Sequence, residues 1–572
     1  MSINKKDVIK LLEKIATYME LKGENPFKIS AYRKAAQALE RDDRSLTEID
    51  DFTKLSGVGK GTATVINEFV DTGHSETLQQ LEQEIPSGLI PLLGLQGLGG
   101  KKLARLYHEL AVVDETTLRK ACEAGEVQAL KGFGEKTEEK IMEVLHNIGT
   151  RPDRLPVASV LRVAKQIEDY LADIAEIDRF SIAGSMRRFR ETVKDLDFII
   201  ATKQPEKVRE KLLQIDGHME TIASGDTKVS IVMQGEFAIG VDFRLVADKE
   251  FATTLHHFTG SKDHNVQMRQ LAKSQGKKIS EYGVEDTETG EVATFTTEDE
   301  FYQSFGLPYI PPEIREGKHE LDEATEPIEL IEAADIRGDL HMHSTWSDGA
   351  QSIEEMVVRA KEKGYEYIAI TDHSKFLQVA NGLNETRLKK QAEEIEKVRE
   401  KHPDILILKG TEMDILPNAS LNFDNDILKT LDFVIASIHS SFTQSLDKIH
   451  ERLLQALENP YVHMIAHPTG RLLGRREGYP VDVNWLIEKA KETNTVLELN
   501  ANPNRLDLSA QWVEKAQEQG VALAINTDAH NYQMLEDMTS GIGTARRGHI
   551  KKQTVINTMT KEALQQFLKR NK

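Results

Sequence analysis

"AGSMRRFRETVKDLDFII", residues 183–200, joins a small-residue turn to an apolar run headed by two carboxylates, Asp195 and Asp197. The run reads as a buried strand, and side chains two apart on a strand share a face. A second strand-like run, "VDFRLV" (241–246), carries Asp242 near its head. Three convergent carboxylates can hold two Mg²⁺ or Mn²⁺ ions, one activating a hydroxyl and both steadying phosphates. Gly184 and Ser185 offer those phosphates a close turn, a backbone N–H and a hydroxyl. Arg188 offers charge to the transition state. Asp-x-Asp alone is a weak signal, because most instances are solvated acids of turns and strand edges.

The order Gly-Ser, Asp-x-Asp, strand Asp is that of nucleotidyl-transfer sites, and "FTGSKDHNVQMR" (258–269) follows the third acid. With that string, residues 1 to about 318 resemble family X DNA polymerases. The resemblance implies that Asp195, Asp197 and Asp242 are the metal-binding catalytic acids. Gly184, Ser185, Arg188 and, in a looser alignment, Arg154 are expected at the triphosphate. Phe258 and Gly260 are expected to line the sugar pocket. Asn265 and Arg269, otherwise an ordinary polar helix face, are expected toward the nascent pair and template. His257 stands where the family usually has Tyr, so weaker rejection of ribonucleotides is expected. Val65 stands where members with lyase activity carry a Schiff-base lysine, and valine cannot form an imine, so that activity is not expected.

Working toward the N-terminus, three glycine punctuations interrupt a helical pattern: "LSGVGKG" (55–61), "LQGLGGKK" (95–102) and "LKGFGEKT" (130–137). Each is an apolar residue, Gly-x-Gly, then a polar helix start. Such a turn can connect helices and nothing more, or its free N–H groups can bind a phosphate without reading a base. Three of them favour phosphates, and they resemble helix-hairpin-helix motifs. The DNA-contact candidates are Gly57, Gly59, Lys60, Gly97, Gly99, Lys101, Gly132 and Gly134. Upstream, "NPFKISAYRKAAQAL" (25–39) clusters Lys28, Arg33 and Lys34, in itself no more than a solvated helix face. The family resemblance places Lys28 at the 5′-phosphate of a gap.

Toward the C-terminus, apolar runs repeatedly end in a polar ligand: "GDLHMH" (338–343), "YIAITDH" (367–373), "ILILKGTE" (405–412), "DFVIASIH" (432–439), "MIAHP" (464–468), "VLELNANP" (496–503) and "ALAINTDAH" (522–530). Alternation with amphipathic helical segments predicts a βα barrel, whose chemistry sits at the C-terminal strand ends. The nine candidates are His341, His343, Asp348, His373, Glu412, His439, His467, Asp528 and His530. Any one of them alone reads as a hydrogen-bonded core or loop residue. A nitrogen and oxygen set without sulfur suits Mn²⁺, Zn²⁺ or Fe²⁺. The region resembles the polymerase-and-histidinol-phosphatase (PHP) domain, which implies up to three ions with Glu412 as a bridge. Asp348 replaces the His of several members. "HPTGRLLGRR" (467–476) adds Arg471, Arg475 and Arg476, read equally as phosphate contacts or as a basic surface loop.

The fold class expected is multidomain α+β and α/β. It comprises a helical N-terminal domain with the first hairpin (1–85), fingers with two more (86–150), a nucleotidyltransferase-type palm (151–250), a thumb (251–317), a linker (318–335) and a (β/α)7-like PHP barrel (336–572). A net charge of −20 argues against non-specific coating of nucleic acid but not against local phosphate patches. The single cysteine, Cys122, excludes internal disulfides, and there is no apolar run of membrane-spanning length. A cytoplasmic, monomeric protein is expected.

A family X core joined to a PHP domain is the arrangement of bacterial and archaeal family X polymerases. It implies filling of short gaps in base-excision-type repair, on gapped or primed DNA with dNTPs. It also implies Mn²⁺-dependent 3′→5′ exonuclease activity, with abasic-site cleavage or 3′-end cleaning as a hypothesis. Two alternatives remain: a barrel acting as a phosphatase or pyrophosphatase, and a DNA-binding scaffold with vestigial sites.

Overall fold

The structure, a computed structural model, describes residues 5–42, 46, 49–94, 98–147, 152–318 and 320–569. The chain divides into two compact units, Met1–Pro152 and Asp153–Lys572.

The first unit is helical, with α1 (Lys5–Lys22), α2 (Pro26–Arg41), α3 (Lys60–Thr72), α4 (Glu76–Glu84), α5 (Gly100–Leu110), α6 (Glu115–Glu123), α7 (Glu126–Ala129) and α8 (Glu135–Asn147). Apolar residues at helical spacing on α1, among them Leu11, Ile15 and Met19, are buried against the later helices. Gly57 has φ +107°, and a Cβ there would crowd the Lys34 carbonyl of α2, so this turn needs glycine. Gly132 and Gly134 also lie at positive φ. Gly59 and Gly99 do not: they are the extended N-cap residues of α3 and α5, with open space where a Cβ would stand. Val65 is buried in α3. Cys122 is buried and free.

The second unit opens with a five-stranded sheet. Its strands are β2 (Ile177–Ile182), β4 (Leu196–Thr202), β5 (His218–Ser224), β6 (Lys228–Met233) and β7 (Ile239–Val246), in the order β2-β4-β7-β6-β5. A small separate pair joins β1 (Leu155–Pro156) to β3 (Thr192–Val193). β4 and β7 run parallel with Asp197 directly opposite Asp242. The following residues, Phe198 and Phe243, point the other way and stack 5.7 Å apart in the core. Helices Phe251–Thr259 and Lys262–Ser274 then lead into a three-stranded sheet of β8 (Lys277–Ile279), β9 (Val284–Asp286) and β10 (Val292–Ala293). This region is fastened to the palm by a buried ion pair: Glu298 accepts from Arg315 at 2.6 Å and from Arg187 at 2.6 Å.

Residues 318–335 read as a tether from their acidic, Pro-containing composition, but the segment is packed. Glu320 accepts from the Gly317 and Lys318 N–H groups and bonds buried His264 at 2.9 Å. Ile331 is buried and its N–H meets the Ile550 carbonyl. Composition reports the average polarity of the segment, whereas these two residues decide its position.

The remaining strands, β11 (Gly338–Met342), β12 (Tyr367–Ile370), β13 (Leu406–Asp414), β14 (Phe433–Ser437), β15 (Met464–Ile465), β16 (Val496–Asn500) and β17 (Leu523–Asn526), are parallel and pair in sequence order. A Met342–Ala529 bridge joins the last strand to the first, so the sheet nearly closes. Every second residue turns inward. Toward the bottom these are apolar: Leu408, Phe433, Ile435, Val496 and Ala524. Two or four residues later the same faces carry Glu412, His439, Glu498 and Asp528. Among the described residues, no helix is long and apolar enough to cross a membrane.

Candidate active sites

In the palm, Asp195 lies exposed just before β4, Asp197 on β4 and Asp242 on β7. Burial, together with the charges of Asp195 and Asp242, pushes Asp197 up to about 7. Asp242 accepts from Ser230 Oγ at 2.6 Å and pairs with Lys228 Nζ at 2.8 Å, an ammonium supplying the sign of charge that a metal brings. Mutually repelling carboxylates of this kind fit divalent cations. Gly184 has φ +61°, and a Cβ there would run into Asp197 Oδ2, so the glycine lets the turn close onto the acid. Ser185 follows it in the short helix Gly184–Arg187.

The other expected nucleotide contacts divide between two places. Arg188 donates to the Thr259 carbonyl, beside Gly260, and its Nε lies 3.7 Å from Glu316. Phe258 stacks edge-on with His257 and lies under the guanidinium of Arg244, 4.5 Å away. Arg244 shares a β7 face with Asp242 and was not singled out in the sequence, although the Asp-x-Arg spacing carries that signal. Asn265 donates to the His257 carbonyl at 2.7 Å, and Arg269 is one turn further along. Arg154 is held on Thr192, at 3.0 Å to the hydroxyl.

Among the hairpin candidates, Lys60 and Lys101 are exposed in the first turns of α3 and α5. Gly97 lies outside the described residues. The third turn, with Gly132 and Gly134, is clasped by Arg105 of α5, which donates to the Lys131 carbonyl at 2.6 Å. Lys28 is exposed and lies 3.4 Å from Glu24; Arg33 pairs with Glu20.

At the barrel mouth the structure brings all nine ligand candidates together. Three overlapping groups form: His343, Asp348, His373 and His530; His341, His343, Glu412 and Asp528; and His373, Glu412 and His439. Glu412 is fully buried, and its two oxygens serve different partners. Oε2 faces His341, His343 and His373 at 3.5, 3.6 and 2.9 Å, while Oε1 faces His439 and His467 at 3.1 and 2.9 Å. His341 Nε2, His343 Nδ1 and His467 Nδ1 are buried without a hydrogen-bond partner among the described residues. Buried polar atoms of this kind call for a ligand, and this set fits divalent metal ions.

Protons and charges are strongly redistributed in this cluster. Burial and the charges of His530 and His373 push His343 down to about 3. Burial works against ionising Asp348, but the hydrogen bond from His530 and nearby histidines hold it at about 2. His439 is driven up to about 10, against burial, by Glu412 and Asp414. Two of the ligand candidates, His467 (φ +30°) and Asp528 (φ +54°), have left-handed backbones.

An outer ring escaped sequence reading. Glu498 accepts from His341 Nδ1 at 2.8 Å and from the His467 N–H at 2.8 Å; Asp414 bonds His439 Nδ1 at 2.9 Å. Each fixes a histidine's tautomer and aims its Nε2 at the centre. Asp372 gathers the 344–347 loop through Ser344 and Ser347, just ahead of Asp348. Of the basic loop, Arg471 is engaged with Glu191 and the Leu506 carbonyl, and Arg476 lies over the Phe442 ring. Neither is a free phosphate contact.

Comparison with known proteins accords with both halves. Helix-hairpin-helix domain families match residues 3–75 and 89–147, the DNA polymerase beta thumb matches 254–316, and the PHP domain matches 339–502. A probable phosphatase of Thermoanaerobacter sp. (strain X514) is 30% identical over 249 residues, covering 41% of this chain and 95% of the relative. A probable phosphatase of Caldanaerobacter subterraneus subsp. tengcongensis is 32% identical over 204 residues, 34% of this chain and 75% of the relative. The DNA polymerase/3′-5′ exonuclease PolX of Bacillus subtilis (strain 168) is 58% identical over 569 residues, spanning 100% of each chain. With that identity along the whole length of both chains, the chain belongs to the PolX family of DNA polymerase/3′-5′ exonucleases.

Proposed function

We propose that this chain extends DNA 3′ ends in short gaps at Asp195, Asp197 and Asp242 and removes 3′ nucleotides at the barrel centre. The observation that carries this reading is the presence of two chemically distinct metal-fitting centres in one chain that matches a PolX enzyme throughout. Divalent ions, when bound, supply Lewis acidity and an activated oxygen nucleophile at either centre. The protein's part in the palm is to seat the triphosphate on the Gly184–Ser185 turn and Arg188 and the sugar against Phe258 and Gly260. Asn265 and Arg269 line the approach of the nascent pair. In the barrel, Glu412, His341, His343, His373, His439, His467, His530, Asp348 and Asp528 would hold the ions, and Glu498 and Asp414 orient the imidazoles. Mg²⁺ or Mn²⁺ suits the palm oxygens; Mn²⁺, Zn²⁺ or Fe²⁺ suits the mixed barrel set. The hairpin N–H groups, Lys60 and Lys101 hold the DNA backbone, with Lys28 at the gap's 5′-phosphate. Short-gap repair is the cellular role that these parts serve.

The test uses labelled primer on a one-nucleotide gap, with Mg²⁺ or Mn²⁺, with and without dNTP. Asp197→Ala is expected to abolish extension and leave degradation; His341→Ala is expected to do the reverse. Loss of both activities in each variant would refute the two-centre assignment. The phosphatase names of other relatives favour one second reading, hydrolysis of phosphomonoesters at the barrel. Release of inorganic phosphate from 3′-phosphorylated DNA, with unmodified single strands left intact, would support it.

A further inference from the structure

Residues 187–192 run from the triphosphate turn to within three residues of Asp195, and every one of them is held from elsewhere in the unit. Arg187 bonds Glu298 and Thr259, and Arg188 bonds the Thr259 carbonyl. Arg190 pairs with Glu316 at 3.0 Å, and Thr192 accepts from Arg154. The two remaining residues are held by the barrel. Glu191 takes Arg471 on both carboxylate oxygens, at 2.7 and 3.3 Å. Phe189, at φ +51°, lays its ring against Gly543 in the helix Met538–Arg547, where any Cβ would run into the ring. Arg547 of the same helix approaches Glu316 at 3.8 Å, the carboxylate that also faces Arg188.

These contacts are out of proportion to an incidental packing of two domains. Arg471 stands four residues after the ligand His467, and its guanidinium also bonds the Leu506 carbonyl. Between the short helix that ends at Arg187 and the two-residue strand β3 that begins at Thr192, the palm segment it grips has no regular structure of its own. A forked Arg–carboxylate pair at partial burial fixes orientation as well as distance. A substrate-contacting group displaced by 1 Å can lose about a hundredfold in rate.

We propose that the barrel forms part of the frame of the polymerase site. Glu191 and Phe189 of the palm, with Arg471 and Gly543 of the barrel, are positioning residues that set Arg188 and Asp195 for the incoming nucleotide. The proposal rests on the palm being the polymerising centre. Its consequence is that barrel residues which hold no barrel metal control nucleotide affinity in the palm.

The experiment measures KM for dNTP and kcat in one-nucleotide gap filling by the full-length protein. Glu191→Gln and Arg471→Met are each expected to raise KM for dNTP about tenfold, with a smaller change in kcat. The double variant is expected to be no worse than either single one, because both remove the same pair. Gly543→Ala is expected to raise KM similarly, and Phe189→Leu added to it to restore affinity by freeing the space. Unchanged KM in all three single variants, additive losses in the double variant, or losses that simply follow the unfolded fraction by circular dichroism would overturn the proposal. Absence of gap filling in the unaltered protein would instead overturn the functional reading on which it rests.

Discussion

The palm and barrel centres face one problem, holding cations beside phosphates, with opposite electrostatics. In the palm, carboxylates face carboxylates, relieved by Lys228 and Arg244, and Asp197 is driven up to about 7. In the barrel each carboxylate meets imidazoles, so that Asp348 is held at about 2 while His439 rises to about 10. The palm centre carries uncompensated like charge, which suits the arrival of a metal and a nucleotide under the proposed function. The barrel centre compensates its own charges and suits resident ions. The two differ in donor chemistry and in placement: the palm acids stand at the head of β4 and midway along β7, the barrel candidates at the C-terminal ends of their strands.

The sharpest test of this contrast exchanges one carboxylate in each centre. Glu412→Gln should abolish barrel hydrolysis while sparing extension, because both oxygens of Glu412 are used. Asp242→Asn should do the opposite, read on the same gapped substrate. Next in size is the outer ring: Glu498→Gln should lower barrel metal affinity by about 10–100-fold, measured as bound metal after dialysis. If the palm lost its ions no faster than the barrel during dialysis against a chelator, the distinction between resident and arriving ions would fail.

Smaller effects, of opposite sign, are expected in the stability of the metal-free protein. Asp197 has a raised folded pKa, so its ionisation destabilises the fold as pH rises from about 4 through 7. Asp197→Asn should therefore stabilise by about 1–3 kcal/mol at pH 8 and by little near pH 4. Asp348 has a depressed pKa, so its contribution is present above about 4 and lost as pH falls toward 2. Asp348→Asn should cost about 1 kcal/mol at pH 8, reduced by its partial exposure. Urea titrations at the two pH values would read both. The smallest effect is on ion demand. Below pH 7 a metal must displace the Asp197 proton, so half-saturating Mg²⁺ for extension should rise up to about tenfold between pH 8 and pH 6.

Much of this was legible in the sequence because strand-end ligands and strand-head acids sit at fixed phases of a period-two pattern. His341, His343, Glu412 and Asp528 each stand at the end of an apolar run, and Asp197 at the head of one. The outer ring was not legible. Glu498 and Asp414 lie within strand patterns, and their meaning comes from partners 157 and 25 residues away. Arg471 was open between a phosphate contact and a basic surface loop for a related reason: its partner Glu191 lies 280 residues earlier. In the hairpins, glycine at 59 and 99 suggested a backbone demand that, among the described residues, only 57, 132 and 134 impose. Local pattern carries local geometry, and pairing across the chain is where it stops.

The left-handed backbones of His467 and Asp528 bear on how such a centre persists under mutation. At those angles glycine or asparagine would sit more comfortably, so histidine and aspartate are kept there at a conformational cost of about 1–3 kcal/mol each. A search for sturdier variants of this chain that ignored chemistry would be drawn early to these two positions. The first gains in melting temperature would then come from dismantling the nuclease, leaving a more durable barrel with nothing to hold.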